Sequence, residues 1–228
     1  MTRSRASRVL LGAFVLAAAV DLVALAVGAD AGHTAAKPLL MPLLAVWAVL
    51  RGAPRLLVAA LLCGWGGDVM LLLDADPAFL AGMASFAVGH VCYLTLFART
   101  GRPGTRAALL APCYAIALIA TVALLWRDLP ADLRLPVAVY STLLTAMAYS
   151  AATRSGPVAG VGGALFLLSD TLIATGVADW PQPPRPDLWI MLTYIAAQLL
   201  LVLGGTSRRK GFRHRPCAPG LRPLTSSP

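Results

Sequence analysis

Apolar runs of about 20 residues recur along nearly the whole chain, and each is long enough to cross roughly 30 Å of hydrocarbon. Inside a bilayer no water pairs with the backbone, so an unpaired N–H or C=O costs several kcal/mol and only helices or closed barrels can span it. Runs this long and this uniformly apolar read as helices, not as the alternating strands of a barrel. Eight spans are expected, at about 8–27, 35–50, 54–73, 77–97, 106–126, 133–152, 158–178 and 186–205. The second is the weakest, being short and carrying Pro38 and Pro42. The connections are too short to hold a soluble domain. The expected fold is therefore all-α: a polytopic bundle of eight transmembrane helices over residues 1–205, with a basic, disordered tail at 206–228.

Charge placement tests this reading independently. With eight spans, both tails and the even-numbered connections share one side, and that side carries all basic residues except Lys37, Arg127, Arg134 and Arg185. The positive-inside rule places both termini in the cytoplasm and the chain in the cell membrane. Asp30, Asp74, Asp76, Asp128, Asp132, Asp179 and Asp187 all fall on the opposite side. The net charge of +9 is thus a cytoplasmic fringe facing anionic lipid headgroups, not a nucleic-acid surface. The first run resembles a signal peptide in its basic flank, but it is of span length and seven more spans follow, so it reads as retained. Cys63, Cys92 and Cys113 lie within spans and Cys217 in the tail, with no CxxC or metal-type spacing; they read as free structural thiols.

Three acids remain inside the spans: Asp21, Asp68 and Asp170. A carboxylate at bilayer depth costs roughly 2.5–3.5 kcal/mol on insertion scales, so such groups mark a cavity, a partner or a reaction. All three sit about 8–12 Å below the outer surface at 1.5 Å per residue. Lys37 opens the second span on the same side, and His90 lies deeper in the fourth. In that fourth span Met83, Phe86, His90, Tyr93 and Phe97 follow helical spacing, which puts His90 and Tyr93 on one face. Gly82, Ser85 and Gly89 form a small-residue stripe beside it, suited to close helix packing. Tyr194 and Gln198 in the eighth span, and Tyr140, Ser141 and Thr145 in the sixth, are further candidates for a shared outward-facing cavity. For Asp21, alone among apolar neighbours, a structural role is the simpler reading.

At these residues the chain resembles the YhhN-like lysoplasmalogenases, eight-span membrane proteins. The matching segments are Lys37-Pro38-Leu39-Leu40-Met41, Gly67-Asp68-Val69-Met70-Leu71-Leu72, Gly82-Met83 through Phe86, and Gly89-His90-Val91-Cys92-Tyr93. Further on come Tyr140 with Met147, then Gly163-Ala164-Leu165-Phe166-Leu167-Leu168-Ser169-Asp170, then Tyr194 and Gln198. The resemblance covers roughly residues 10–205. Where the family has a Phe-Ser pair shortly before the first Gly-Asp, this chain reads Cys63-Gly64-Trp65-Gly66.

The resemblance implies hydrolysis of the vinyl ether of a lysoplasmalogen to a fatty aldehyde and a glycerophospho-alcohol, with no cofactor or metal. That reaction begins with protonation of the β-carbon, and water captures the resulting oxocarbenium ion. It needs a neutral acid and a nearby negative charge, a division of labour that two neighbouring carboxyls in a poorly solvated site provide. Asp68 and Asp170 are the expected catalytic pair. Lys37 is expected at the substrate phosphate, with His90 and Tyr93 orienting water or a carboxyl, and Tyr140, Tyr194 and Gln198 in support. Two alternatives stay open at this point. One is a proton-coupled lipid transporter, since acids on the third and seventh spans also fit a proton relay; the other is a metal-dependent hydrolase using His90 with the aspartates.

Overall fold

The computed structural model describes residues 2–73, 75–100 and 103–212. Among these residues the chain forms eight helices: α1 (Arg3–Val27), α2 (Asp30–Leu50), α3 (Arg55–Met70), α4 (Asp76–Ala98), α5 (Ala107–Leu125), α6 (Ala131–Arg154), α7 (Pro157–Val177) and α8 (Pro186–Phe212). All eight expected spans appear, and seven of the helices are long and apolar enough to cross a membrane. The molecule is a polytopic helical membrane bundle. Residues 213–228, most of the expected tail, lie outside the described residues.

The helix that falls short is α3, not α2. At 16 residues it measures about 24 Å. It is bounded by Pro54 ahead and by a turn at Leu71–Leu73, before Pro77 opens α4. α2, expected to be the weakest span, starts earlier, at Asp30, and carries both prolines inside a continuous 21-residue helix. Pro42 has no N–H to give the carbonyl four residues back, so Pro38 is left with a free acceptor. The indole of Trp65 on α3 fills that gap with a 2.9 Å bond to the Pro38 carbonyl. A neighbouring helix thus re-satisfies the broken backbone bond, which is what makes such prolines tolerable in hydrocarbon.

The helices form a ring of neighbours, α1–α2–α3–α4–α6–α7–α8, closed where α8 returns to touch α1, α2 and α3. α5 stands outside this ring, packed mainly on α6 and lightly on α7, with Leu125 its one buried residue. The small-residue stripe of α4 does lie against α3: a Cβ on Gly82 would come within 3.3 Å of the Gly67 carbonyl, and one on Gly89 within 3.2 Å of the Ala60 carbonyl. Without a hydrophobic force between helices in lipid, such close van der Waals approach supplies much of the association. On the other side of the ring, a Cβ on Gly163 would sit 2.8 Å from Ala148 Cα. Gly163→Ala therefore pushes α7 away from α6, and about 1–3 kcal/mol of stability should be lost. A lowered thermal midpoint in detergent checks this, with Gly176→Ala, which meets no atom within 4 Å, as the control.

Candidate active site

Both intramembrane carboxyls of interest are bonded to a tyrosine from another helix. On α8, Tyr194 donates to Asp68 Oδ2 at 2.8 Å, and the Gln198 amide nitrogen donates to the Tyr194 oxygen at 3.2 Å. Tyr93 of α4 in turn donates to Gln198 Oε1 at 2.7 Å. This chain is buried throughout. Gly64 of α3 gives it room, since a Cβ there would stand 3.0 Å from the Gln198 amide and 3.1 Å from the Tyr194 hydroxyl. The second chain joins α7, α6 and α4: Tyr140 donates to Asp170 Oδ2, and His90 Nε2 lies 3.0 Å from the Tyr140 hydroxyl. His90 and Tyr93 do share a face of α4, but each serves a different carboxyl.

Aromatic rings tie the two chains together. Phe166 meets His90 edge-on at 4.8 Å and Tyr194 at 5.5 Å, while Phe86 meets both Phe166 and Tyr194. Phe86 also packs on the bare backbone of Gly67, beside Asp68. Such edge-to-face pairs contribute about 0.5–1.5 kcal/mol each beyond burial, and here they fix the spacing of the two polar chains. Asp68 and Asp170 remain within reach of one another's charge.

A cavity, partly open to its surroundings, lies between α4, α5, α6 and α7. Its wall is mainly apolar, with Phe79, Met83, Leu118, Val137, Leu144 and Ile173 among the lining side chains. Asp170 and Tyr140 line it, and Ser141 and Thr145 join the lining as the sequence led us to expect. Asp68, His90, Tyr93, Tyr194, Gln198 and Lys37 do not line it. The expected single cavity shared by both carboxyls is therefore corrected: one carboxyl faces the cavity, and the other lies behind the Phe86–Phe166 wall. Helix periodicity gives depth and face, but the rings that part the two sites come from three different helices.

Behind that wall is a second polar group. Lys37 is buried, lies in no ion pair within 4.0 Å among the described residues, and acts on Asp68 through space together with Asp21 and His33. Asp21, fully buried, pairs with His33 at 2.8 Å across the α1–α2 hairpin. His33 was not singled out in the sequence. The signal was available: Asp21 lies seven residues before the Gly28 turn and His33 five after it, so an antiparallel pair of helices brings them level. Among the described residues no three His, Cys, Asp or Glu side chains converge as a ligand set for a metal ion.

Fold and site together define a polytopic membrane protein with two hydrogen-bonded carboxyls beside an apolar cavity. The chain belongs to the YhhN family, whose model matches residues 32–205. It is similar to the human lysoplasmalogenase TMEM86B, 38% identical over 154 residues that make up 67% of this chain and 64% of that protein. The pig lysoplasmalogenase TMEM86B is 38% identical over 170 residues, 72% of this chain and 71% of that one. The lysoplasmalogenase of Mycobacterium tuberculosis is 33% identical over 161 residues, 66% of this chain and 60% of that protein. The chain thus covers less than two thirds of the human and mycobacterial relatives. No solved structure matches it.

The Asp21–His33 pair gives a direct test of the polar group. His33→Ala leaves Asp21 with neither oxygen bonded, since Oδ2 already has no partner in the protein. The loss should be about 1–3 kcal/mol. Adding Asp21→Asn or Asp21→Leu to His33→Ala should recover part of it, measured as unfolding midpoints in one detergent.

Proposed function

We propose that this protein is a lysoplasmalogenase: a membrane-embedded hydrolase that cleaves the vinyl ether of a lysoplasmalogen to a fatty aldehyde and a glycerophospho-alcohol. The observation that carries the reading is a carboxyl, Asp170, lining a mainly apolar cavity within a helical bundle. The cavity's mainly apolar walls suit the alkenyl chain. The names of the family relatives support the same reaction. They give no support to a gradient-driven transporter, and that alternative is not carried forward.

Asp68 and Asp170 are the catalytic pair in this proposal. A carboxylic acid delivers its proton to the β-carbon of the vinyl ether as the ether oxygen forms the C=O⁺ bond. The second carboxyl supplies negative charge to the developing oxocarbenium ion. Water adds at the α-carbon and returns one proton to the enzyme, and the hemiacetal collapses to aldehyde and alcohol. Oriented charge acts strongly where water is excluded, so Asp68 can contribute from behind the aromatic wall. Lys37, expected at the substrate phosphate, does not line the cavity and serves in this proposal as the cation that balances the Asp68 carboxylate. Its side of the bundle is the outer one on the charge pattern of the connections, which also supports a cell-membrane location with both termini cytoplasmic.

Purified protein in detergent should release aldehyde from a lysoplasmalogen without any ion gradient. Asp170→Asn and Asp68→Asn should each lower kcat, by about 10²–10⁴-fold for the acid. Full activity in both variants overturns the pair. Ala117→Trp, which narrows the cavity from α5, should raise KM for long-chain substrates with a smaller effect on short-chain ones.

A further inference from the structure

Two carboxyls with one tyrosine each look equivalent, yet the bonds around them are not. Asp170 lines the cavity and is partly exposed to it, whereas Asp68 is 2% exposed and does not line it. Only Oδ2 of Asp170 has a hydrogen-bond partner among the described residues; Oδ1 has none and is not sealed off. Tyr140 approaches Oδ2, and His90 approaches the Tyr140 oxygen from the other side. His90 Nδ1, fully buried, has no partner in the protein. A neutral imidazole carries one N–H, and the nitrogen facing the tyrosine is where a bond is available. With the N–H at Nε2 donating to the Tyr140 oxygen, the tyrosine hydroxyl has one acceptor left, which is Asp170 Oδ2.

From this, and resting on the hydrolase reading above, we infer that Asp170 is the acid and that Oδ1 is the oxygen that delivers its proton, with His90 and Tyr140 as the positioning pair that keeps the proton there. The reason is one of exclusion. When Oδ2 accepts from Tyr140, the proton of the neutral carboxyl belongs on Oδ1, the oxygen free to meet the cavity. Oδ1 gives its proton to the β-carbon, whose π electrons form the new C–H bond, and Asp170 is left as a carboxylate. Water then forms the C–O bond at the α-carbon, its surplus proton returns to Oδ1, and the acid is regenerated. Tyr140 donates to Oδ2 in both states, so the carboxyl does not have to turn between steps.

The Asp68 chain is built for a different task. Tyr93, Gln198 and Tyr194 all donate in one direction, toward Asp68. The amide of Gln198 cannot pass a proton along without turning over, and Lys37 supplies a through-space positive charge. On this inference Asp68, met by the Tyr194 donor and not lining the cavity, serves as the charge of the pair and Asp170 as its proton carrier.

The test compares four variants with wild-type protein in detergent, using lysoplasmalogen hydrolysis and the infrared carboxyl stretch of the band that disappears in Asp170→Asn. Tyr140→Phe and His90→Leu should lower kcat by about 10-fold to 100-fold with KM unchanged. His90→Gln, whose amide N–H can still donate to Tyr140, should recover most of the His90→Leu loss. Tyr140→Phe should move the Asp170 carbonyl stretch to higher frequency, and Tyr194→Phe should leave it in place. An unmoved stretch in Tyr140→Phe, or His90→Gln no better than His90→Leu in a correctly folded protein, overturns the inference. The infrared arm reads bond polarity whether or not this substrate is turned over. An inactive wild type with a shifted stretch would therefore count against the substrate and not against the positioning pair.

Discussion

A carboxyl inside a bilayer has no water to bond with, and in this protein another helix supplies a donor to each one. Asp21 meets His33 between α1 and α2, Asp68 meets Tyr194 between α3 and α8, and Asp170 meets Tyr140 between α6 and α7. An unanswered buried polar group costs about 1–3 kcal/mol, more when charged, so each of these bonds fixes how two helices stand to one another. The site residues are therefore also the clamps of the bundle. The Tyr194–Asp68 bond joins residues 126 apart in the chain and exists only because α8 returns to close the ring.

The same constraint explains why the two carboxyls are kept apart. Asp68 lies in the last turn of α3, where the carbonyl end of the helix disfavours a carboxylate. Tyr194 and Lys37 offset that, and neither opens on the cavity. Asp170 sits within α7, away from both helix ends, and looks into apolar space. Phe86 and Phe166 form the partition between them. Low-dielectric surroundings screen a charge less than water does, so a charge at Asp68 can act at the cavity without being reachable from it.

Depth and face were legible in the sequence, while direction around the bundle was not. Apolar run length located all eight helices, and the spacing through Phe86, His90 and Tyr93 identified the buried face of α4. Lys37, Asp68, Asp170, Tyr140, Tyr194 and Gln198 are each involved in the polar groups described above. What one-dimensional spacing lacks is the angle at which helices cross. That angle decided that Tyr93 bonds toward Asp68 and His90 toward Asp170, and that only one carboxyl lines the cavity. The shortness of α3 and the capping of Pro38 by Trp65 belong to the same class, since both depend on what the next helix presents. His33 is the exception: the short Gly28 turn, with Asp21 seven residues before it and His33 five after, was signal enough to suggest the pairing.

The position of α5 then acquires a reason. It is one wall of the cavity through Ala117, Leu118 and Thr121, yet it supplies no side chain to either polar chain. Its outward face, with Leu109, Ile116, Ile119 and Leu124 well exposed, is apolar and suited to contact with lipid chains. Moving any member of the ring would strain or break a carboxyl's hydrogen bond or its aromatic spacing. Displacing α5 breaks none of these, because the ring of seven is complete without it. The arrangement thus separates a cavity wall that holds no carboxyl from the ring whose helices hold all three.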